Sequence, residues 1–489
     1  MSMLKQAFNP YLPSWEYIPD GEPHVFGDRV YVYGSHDRFN GFAYCLNDYV
    51  CYSAPTDDLG NWRYEGVIYE KTSDPVNREG SMCLYAPDVV RGADGRYYLY
   101  YVLDKVPFVS VAVSDTPAGK YSFYGYVHDS DGRRLGERDR DQPQFDPAVL
   151  MEGGSVYLYT GFCGPGDLSR KGAMATVLGP DMVTITEEPV IIVPGNCYSA
   201  GTDFEGHEFF EGPSIRKNGD TYYFVYSSSK MHELCYAVSR YPTKEYVYGG
   251  VIVSNCDGNI THQKPAGLPT YVPGNNHGGM TEIRGQWYIF YHRHTNGTNF
   301  SRQGCAEPIQ IGEDGSIQQV EMTSCGLNGG PLAGKGEYPA YIACNLFSKT
   351  MDNNHLLHHA GWIDGKYARI TQDGRDGDEE TGYIANMQDS TIAGFKYFDC
   401  SGITRISLKT RGYGSGYFEV KTRWDGECLG TIPAGYSNVW VENSAEITIP
   451  DGVHALYFEF KGEGGISLAS FSLESVSYTH LTLPTNREV

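Results

Sequence analysis

The stretch His207–Ser229, HEFFEGPSIRKNGDTYYFVYSSS, decides the fold. One carboxylate, Glu211, stands ahead of Gly212-Pro213, a short apolar run, a Lys-Asn-Gly-Asp turn and a second run rich in aromatics. Alternating apolar residues on both sides of a turn centred on Asn218-Gly219 predict a β-hairpin. The same unit recurs as GDRVYVYGS (27–35), DGRYYLYY (94–101), GGSVYLYTG (153–161), NGDTYYFVYSS (218–228) and RGQWYIFYH (284–292). With Tyr31, Tyr98, Tyr157, Tyr223 and Tyr288 as equivalent positions, the intervals are 67, 59, 66 and 65 residues. A near-constant period with a β signature in every unit predicts small sheets repeated around an axis. Five units predict an all-β, five-bladed propeller.

The residues ahead of the five markers give this fold a chemistry. About eleven positions upstream lie Asp20 (in PDGEPHVF), Pro87 (LYAPDVV), Asp146 (FDPAVL), Glu211 and His277 (NNHGGMTEI). The first strand of each propeller blade lines the central channel, so equivalent positions on successive blades ring the axis at one end. Three carboxylates and a histidine from distant parts of the chain therefore converge. Clustered carboxylates divide acid and base work, because their proximity separates their pKa values. Phe209, Phe210 and Pro213 would desolvate Glu211 and raise its pKa, which suits an acid. Asp20 lies in a more polar loop and suits a base, and Asp146 would keep Glu211 protonated by like-charge repulsion. Glycoside hydrolysis needs such a division.

Composition narrows the partners. The chain has 489 residues with 38 Lys and Arg against 60 Asp and Glu, a net charge of −22. That balance argues against nucleic acid and anionic membranes and suits a neutral, hydroxyl-rich oligosaccharide. Forty tyrosines and fifty-nine glycines favour twisted strands joined by tight turns. Twelve cysteines show no CxxC and no Cys/His ligand spacing, and read as buried, reduced thiols rather than a zinc site. HEFFE (207–211) is not the HExxH of a metalloprotease. The opening MSMLKQAFNP lacks the apolar core of a signal peptide, which with the free thiols predicts a cytoplasmic protein.

Past a Gly-rich boundary, Ser324–Gly336, the pattern changes. Ile392–Phe398, Ile403–Leu408, Tyr417–Lys421, Glu446–Ile449, Ala455–Phe460 and Ile466–Phe471 are short alternating runs, the spacing of a β-sandwich. The predicted organisation is a propeller over 1–330, a sandwich over 331–475, and a non-native tail over 476–489. Arg293, just after the fifth aromatic run, reads as a partner for a sugar hydroxyl or a carboxylate.

Taken together, NPYLPSWEYIPD ending in Asp20, FDPAVL with Asp146 and FFEGPSI with Glu211 resemble glycoside hydrolase family 43. The resemblance implies an inverting exo-glycosidase acting on arabinose- or xylose-containing plant-polysaccharide fragments. It implies Asp20 as general base, Asp146 as pKa modulator and Glu211 as general acid. LYAPDVV resembles the family's Trp-Ala-Pro motif with Tyr85 in place of Trp, a residue of the sugar pocket. NNHGG resembles its His-Gly motif, which places His277 on the axis beside a bound calcium or water; no cofactor is required for the chemistry. The family usually carries Asp-Pro at the base. Counting back from Gly27-Asp28 selects Asp20, whereas matching the X-Pro pair selects Glu22, the alternative. AGFKYFDCSG (393–402) and the strands after it resemble a family 6 carbohydrate-binding module. Two other readings are a non-catalytic sugar-binding propeller and an endo-arabinanase, which needs an open groove.

Overall fold

The structure is a computed structural model that describes residues 6–260, 269–349 and 367–475. The tail read as non-native, 476–489, lies outside the described residues.

Each repeated hairpin opens a blade. The first blade is built from Glu22–Phe26, Arg29–Tyr33, Tyr49–Pro55 and Arg63–Tyr69, hydrogen-bonded in chain order. The second uses Leu84–Arg91, Tyr97–Leu103, Ser110–Ser114 and Ser122–Tyr126, and the third Ala148–Glu152, Ser155–Thr160, Gly172–Leu178 and Ile185–Pro194. The fourth comprises Phe209–Asn218, Thr221–Ser228, Glu233–Ser239 and Val247–Ser254. The fifth has three strands, Met280–Ile283, Gln286–His294 and Arg302–Ile309. All five marker tyrosines fall in the second strand of their blade. In the founding hairpin Asn218 pairs with Thr221, so the two-residue turn is Gly219-Asp220, one position later than expected. Gly219 there takes φ 57°, a left-handed value that glycine adopts without strain.

The ring closes where the first blade meets the fifth. Gly21 and Gly278 form a parallel bridge, and the Gly279 N–H donates to the Gly21 carbonyl at 3.2 Å. The N-terminal segment flanks the third strand of the fifth blade, with the Tyr11 N–H donating to the Gly304 carbonyl and Asn9 bonding both backbone groups of Ala306. Between blades the faces are packed with aromatic and branched side chains, such as Tyr159, Phe209, Phe224 and Tyr226 between the third and fourth. Burial of these faces is the main force holding the blades together.

Two sheets follow. Leu332–Ala333, Asn345–Ser348, Thr391–Cys400, Ser415–Lys421, Gly430–Ala434 and Gly452–Glu463 form one. Gly336–Pro339, Arg369–Thr371, Tyr383–Met387, Ile403–Gly412, Ser437–Glu446 and Ile466–Ser475 form the other. Phe395, Phe398, Phe458 and Phe471 interlock between them, with Phe395 and Phe471 ring centres 4.7 Å apart. One expected strand is displaced. The regular strand is the preceding, polar Ser437–Glu446, and past Glu446 the chain stays tied to Ile403–Gly412 through the Ile447 and Ile449 N–H groups, which donate to the Thr404 and Ile403 carbonyls. Ile447 and Ile449 alternate only because their side chains plug the core, while Val439 and Val441 face solvent.

The sandwich shares its core with the last two blades: Tyr223, Met280, Ile289 and Tyr291 pack in one continuous cluster with Tyr338, Phe395 and Leu473. Lys396 carries a buried ion pair across the junction to Asp257, at 3.2 Å.

Candidate active site

The heads of the first strands deliver the ring. Asp20 and Asp146 sit in the segments leading into the first and third blades with φ of 57° and 45°, left-handed values uncommon for a residue with a Cβ. Both are buried, at 4 % exposure, whereas Glu211 is half-buried at the mouth. His277 links the aspartates: its Nδ1 lies 3.7 Å from Asp20 Oδ1 and 3.7 Å from Asp146 Oδ2. Gly212, immediately after Glu211, permits this approach. At φ 67° it presses on the imidazole so closely that a Cβ would stand 2.8 Å from His277 Cγ. Its N–H is also a hydrogen-bond donor to Asp146.

One arginine organises the charges. Arg302 opens the third strand of the fifth blade; its Nη1 donates to Asp20 Oδ1 at 3.0 Å, while Nε and Nη2 fork onto the two oxygens of Asp37 at 2.8 and 3.0 Å. His292 completes the enclosure of Asp20, with Nδ1 3.4 Å from Oδ1 and accepting the Asp20 backbone N–H. Four acids, Asp20, Asp37, Asp146 and Glu211, thus cluster about a single guanidinium. Burial pushes Glu211 up to about 8, with the charge of Asp20 adding and Arg302 partly offsetting. Burial, then Glu211 and Asp20, push Asp146 well above the usual carboxylate range, against the Gly212 N–H. The Glu211–Asp146 pair therefore keeps a proton at neutral pH. Burial holds His277 below its ordinary value and His292 well below, so both imidazoles are neutral.

Aromatic rings wall the mouth. Tyr85 lies 5.4 Å from Phe145, Phe145 lies 5.5 Å from Phe162, and Phe162 lies 5.2 Å from Phe210. Opposite, Tyr44 stacks on the Arg302 guanidinium at 4.8 Å and meets Phe300 edge-on. Such a wall suits the apolar faces of a sugar ring, and the carboxyl groups between suit its hydroxyls.

The structure brings Asp20, Asp146, Glu211 and His277 to one end of the channel, with Tyr85 on its wall. Glu22 does not join them. It lies a level deeper, with Oε2 2.8 Å from Arg216 and accepting the Ser214 hydroxyl at 3.1 Å, and burial pushes it up to about 8. Asp20 and Glu22 keep different company: Asp20 lies against Arg302, His277 and His292, and Glu22 against Arg216 and Ser214. His24 and Asp88 share that deeper level, 2.6 Å apart.

Arg293, expected to meet a sugar hydroxyl or a carboxylate, does not line the channel. It is 1 % exposed, and its guanidinium donates to Gln303 and to the carbonyls of Tyr341 and Ala343, so it ties the fifth blade to the sandwich and reaches no ligand. The register explains this. Arg293 pairs with Gln303 on one face of the sheet, while His292 and Arg302 lie on the other, which turns towards Asp20. Sequence reasoning missed Arg302, Asp37 and Tyr44; the only local signal was an arginine at a strand start.

The donor set around His277 does not form a calcium cage. Calcium takes about six to eight oxygens, whereas His277 offers nitrogen, and the oxygens nearest it are those of Asp20 and Asp146. Directly below, Arg216 already supplies the cation for Glu22. No step below passes through a metal.

The chain is similar to known proteins. The model for glycosyl hydrolases family 43 matches residues 18–317. A xylosidase/arabinosidase of Thermoclostridium stercorarium is 70% identical over 471 residues, covering 96% of this chain and 99% of that protein. The family 43 arabinoxylan arabinofuranohydrolase of Bacillus subtilis, solved with cellotetraose, shares the fold over 96% of this chain and 97% of its own, with TM-score 0.51 and 19% identity. The GH43_1 enzyme of Xanthomonas citri, solved with xylose, covers 65% of this chain and 94% of its own, with TM-score 0.52 and 23% identity. With a ring of acids at the mouth of a five-bladed propeller, and a family match running through all five blades, the chain belongs to glycoside hydrolase family 43.

Proposed function

We propose that this enzyme releases terminal β-D-xylose and α-L-arabinofuranose from short plant-polysaccharide fragments, with inversion at the anomeric carbon. The observation that carries the reading is the unequal environment of two acids. Glu211, pushed up to about 8, carries a proton, while the Asp20 carboxyl accepts a hydrogen bond from the Arg302 guanidinium at 3.0 Å. The 70% identical xylosidase/arabinosidase supports the choice of sugars.

In the reaction Glu211 gives its proton to the glycosidic oxygen as the C–O bond breaks. A water on the opposite side of the ring attacks the anomeric carbon and loses a proton to Asp20. Each turnover leaves Glu211 ionised and Asp20 protonated, and solvent exchange restores both. Asp146 is a positioning residue: its charge and proton are shared with Glu211, and the Gly212 N–H fixes it beside His277. Tyr85 and the neighbouring aromatics hold the sugar ring. Water and these carboxyl groups suffice, so no cofactor enters.

The sandwich supports the wall rather than a second step in this account. Asp376 accepts the Phe39 N–H at 2.7 Å, Gln372 accepts the Tyr17 hydroxyl at 2.7 Å, and Asn296 donates to the Ile370 carbonyl. None of the twelve cysteines is in a disulfide, and nine are buried, which favours a reducing compartment and hence the cytoplasm. A panel of aryl β-D-xylosides and α-L-arabinofuranosides, beside a debranched arabinan, tests the specificity. Turnover of both aryl series with single sugars as product is expected. Release of arabino-oligosaccharides from the polymer would instead assign an endo-arabinanase.

A further inference from the structure

A second cluster of reactive side chains lies on the same blade as Glu211 and takes no part in the reaction above. His207 stands four residues ahead of Glu211, just before the first strand of the fourth blade. The third strand, Glu233–Ser239, presents Glu233 and Cys235 two positions apart and therefore on one face. The three side chains meet. His207 Nδ1 is 2.9 Å from Glu233 Oε2, and Cys235 Sγ is 3.8 Å from each of those atoms. Glu233 and Cys235 are buried, and the His207 side chain is 25 % exposed, which leaves one approach from solvent.

The triangle has the dimensions of a metal site. Tetrahedral zinc, with Zn–S of about 2.3 Å and Zn–N or Zn–O of about 2.0–2.1 Å, separates sulfur from nitrogen or oxygen by about 3.6 Å and nitrogen from oxygen by about 3.3 Å. Each separation differs from these by less than about 0.5 Å, within reach of a small side-chain rotation. We propose that His207, Glu233 and Cys235 bind a single zinc-class divalent cation, with water in the fourth position. The mixed N, O and S set suits zinc or cobalt and is poorly matched to calcium or magnesium.

Surrounding groups orient the ligands. Ser228 Oγ donates to Glu233 Oε2 at 3.0 Å, and Asn259 Nδ2 donates to Oε1 at 2.9 Å. The Tyr248 ring stacks on His207 at 5.0 Å and 21°. Such outer contacts fix ligand geometry in metal sites. The Lys230 ammonium now occupies the neighbourhood, 3.4 Å from Glu233 Oε1 and 3.5 Å from His207 Nε2. Its side chain is 42 % exposed and can swing into water, so an incoming dication exchanges for the ammonium. The proton balance is simple. The imidazole proton moves from Nδ1 to Nε2, the Cys235 thiol loses its proton to solvent, and one proton is released per ion bound. The 229–232 turn beside the cluster accepts the Asn276 N–H at the Met231 carbonyl, 2.7 Å, one residue from His277. A bound ion would therefore stiffen the rim next to the reacting ring.

Cobalt(II) titration of the metal-free full-length enzyme tests the site. One equivalent should produce a thiolate-to-cobalt absorption band and release one proton. The band should vanish in Cys235→Ser, weaken at least tenfold in affinity in His207→Gln, persist in Cys428→Ser, and form more tightly in Lys230→Ala. Zinc should raise the Tm of the wild type and leave that of Cys235→Ser unchanged. Metal-free hydrolysis of an aryl xyloside by Cys235→Ser establishes that the variant is folded; should it not fold, His207→Gln carries the test alone. No band in the wild type, or a band that survives both ligand substitutions, overturns the assignment.

Discussion

Glu211→Gln lowers kcat on xylobiose by about 10²–10⁴-fold, the usual worth of a general acid, and leaves the fold intact. The amide keeps the shape of the side chain but has no proton to give. The loss depends on the leaving group. A dinitrophenolate departs without protonation, so dinitrophenyl xyloside should retain most of its turnover in the variant, while a sugar leaving group should not. A merely structural role for Glu211 would slow both substrates alike. The pH profile gives a second readout. Glu211 is active when protonated and its carboxyl is pushed up to about 8, so the wild-type rate should fall as pH rises through that region. In Glu211→Gln this alkaline limb disappears. Stopped assays across pH with both substrates read all of these effects.

Asp20→Asn should cost a similar factor, about 10²–10⁴, with the opposite signature. Water must be activated whatever the leaving group, so xylobiose and dinitrophenyl xyloside lose rate equally. The charge of Asp20 is the second cause, after burial, of the raised Glu211 carboxyl. Its removal should therefore shift the remaining alkaline limb to lower pH. Arg302 would keep its fork on Asp37, which preserves the wall. Glu22→Gln serves as the contrast: Glu22 lies below the ring against Arg216, and its loss should lower stability more than turnover. Equal leaving-group independence in Glu22→Gln, with full activity in Asp20→Asn, would transfer the role of base to Glu22.

Much of the fold could be read from the chain because a propeller repeats its local signature. Each blade carries its own two-residue periodicity and turn, so five hairpins announce themselves without long-range information, and register then predicts which residues ring the axis. The features that escaped depend on which face of a strand meets which neighbour. Arg293 and Arg302 are equally plausible from sequence; only the pairing of Arg293 with Gln303 and of His294 with Arg302 sends one to the sandwich and the other to Asp20. Glu446–Ile449 alternates like a strand, yet its isoleucines plug the core past the end of the regular strand Ser437–Glu446. The His207, Glu233 and Cys235 cluster has no spacing motif, because one ligand precedes the first strand of the blade and the other two lie on its third strand. Asp20 and Glu22 differ in their partners, Arg302 for one and Arg216 for the other, which a separation of two residues in sequence cannot reveal.

The stereochemistry of the first product tests the roles of Asp20 and Glu211 most directly. Proton NMR of a β-D-xyloside digest, followed from the first minutes before mutarotation, should show the α-anomer of xylose appearing first and the β-anomer growing in later. That order is what a water placed by Asp20 on the side opposite Glu211 requires. Initial release of β-xylose would mean retention and a covalent intermediate, and would contradict the roles given to Asp20 and Glu211.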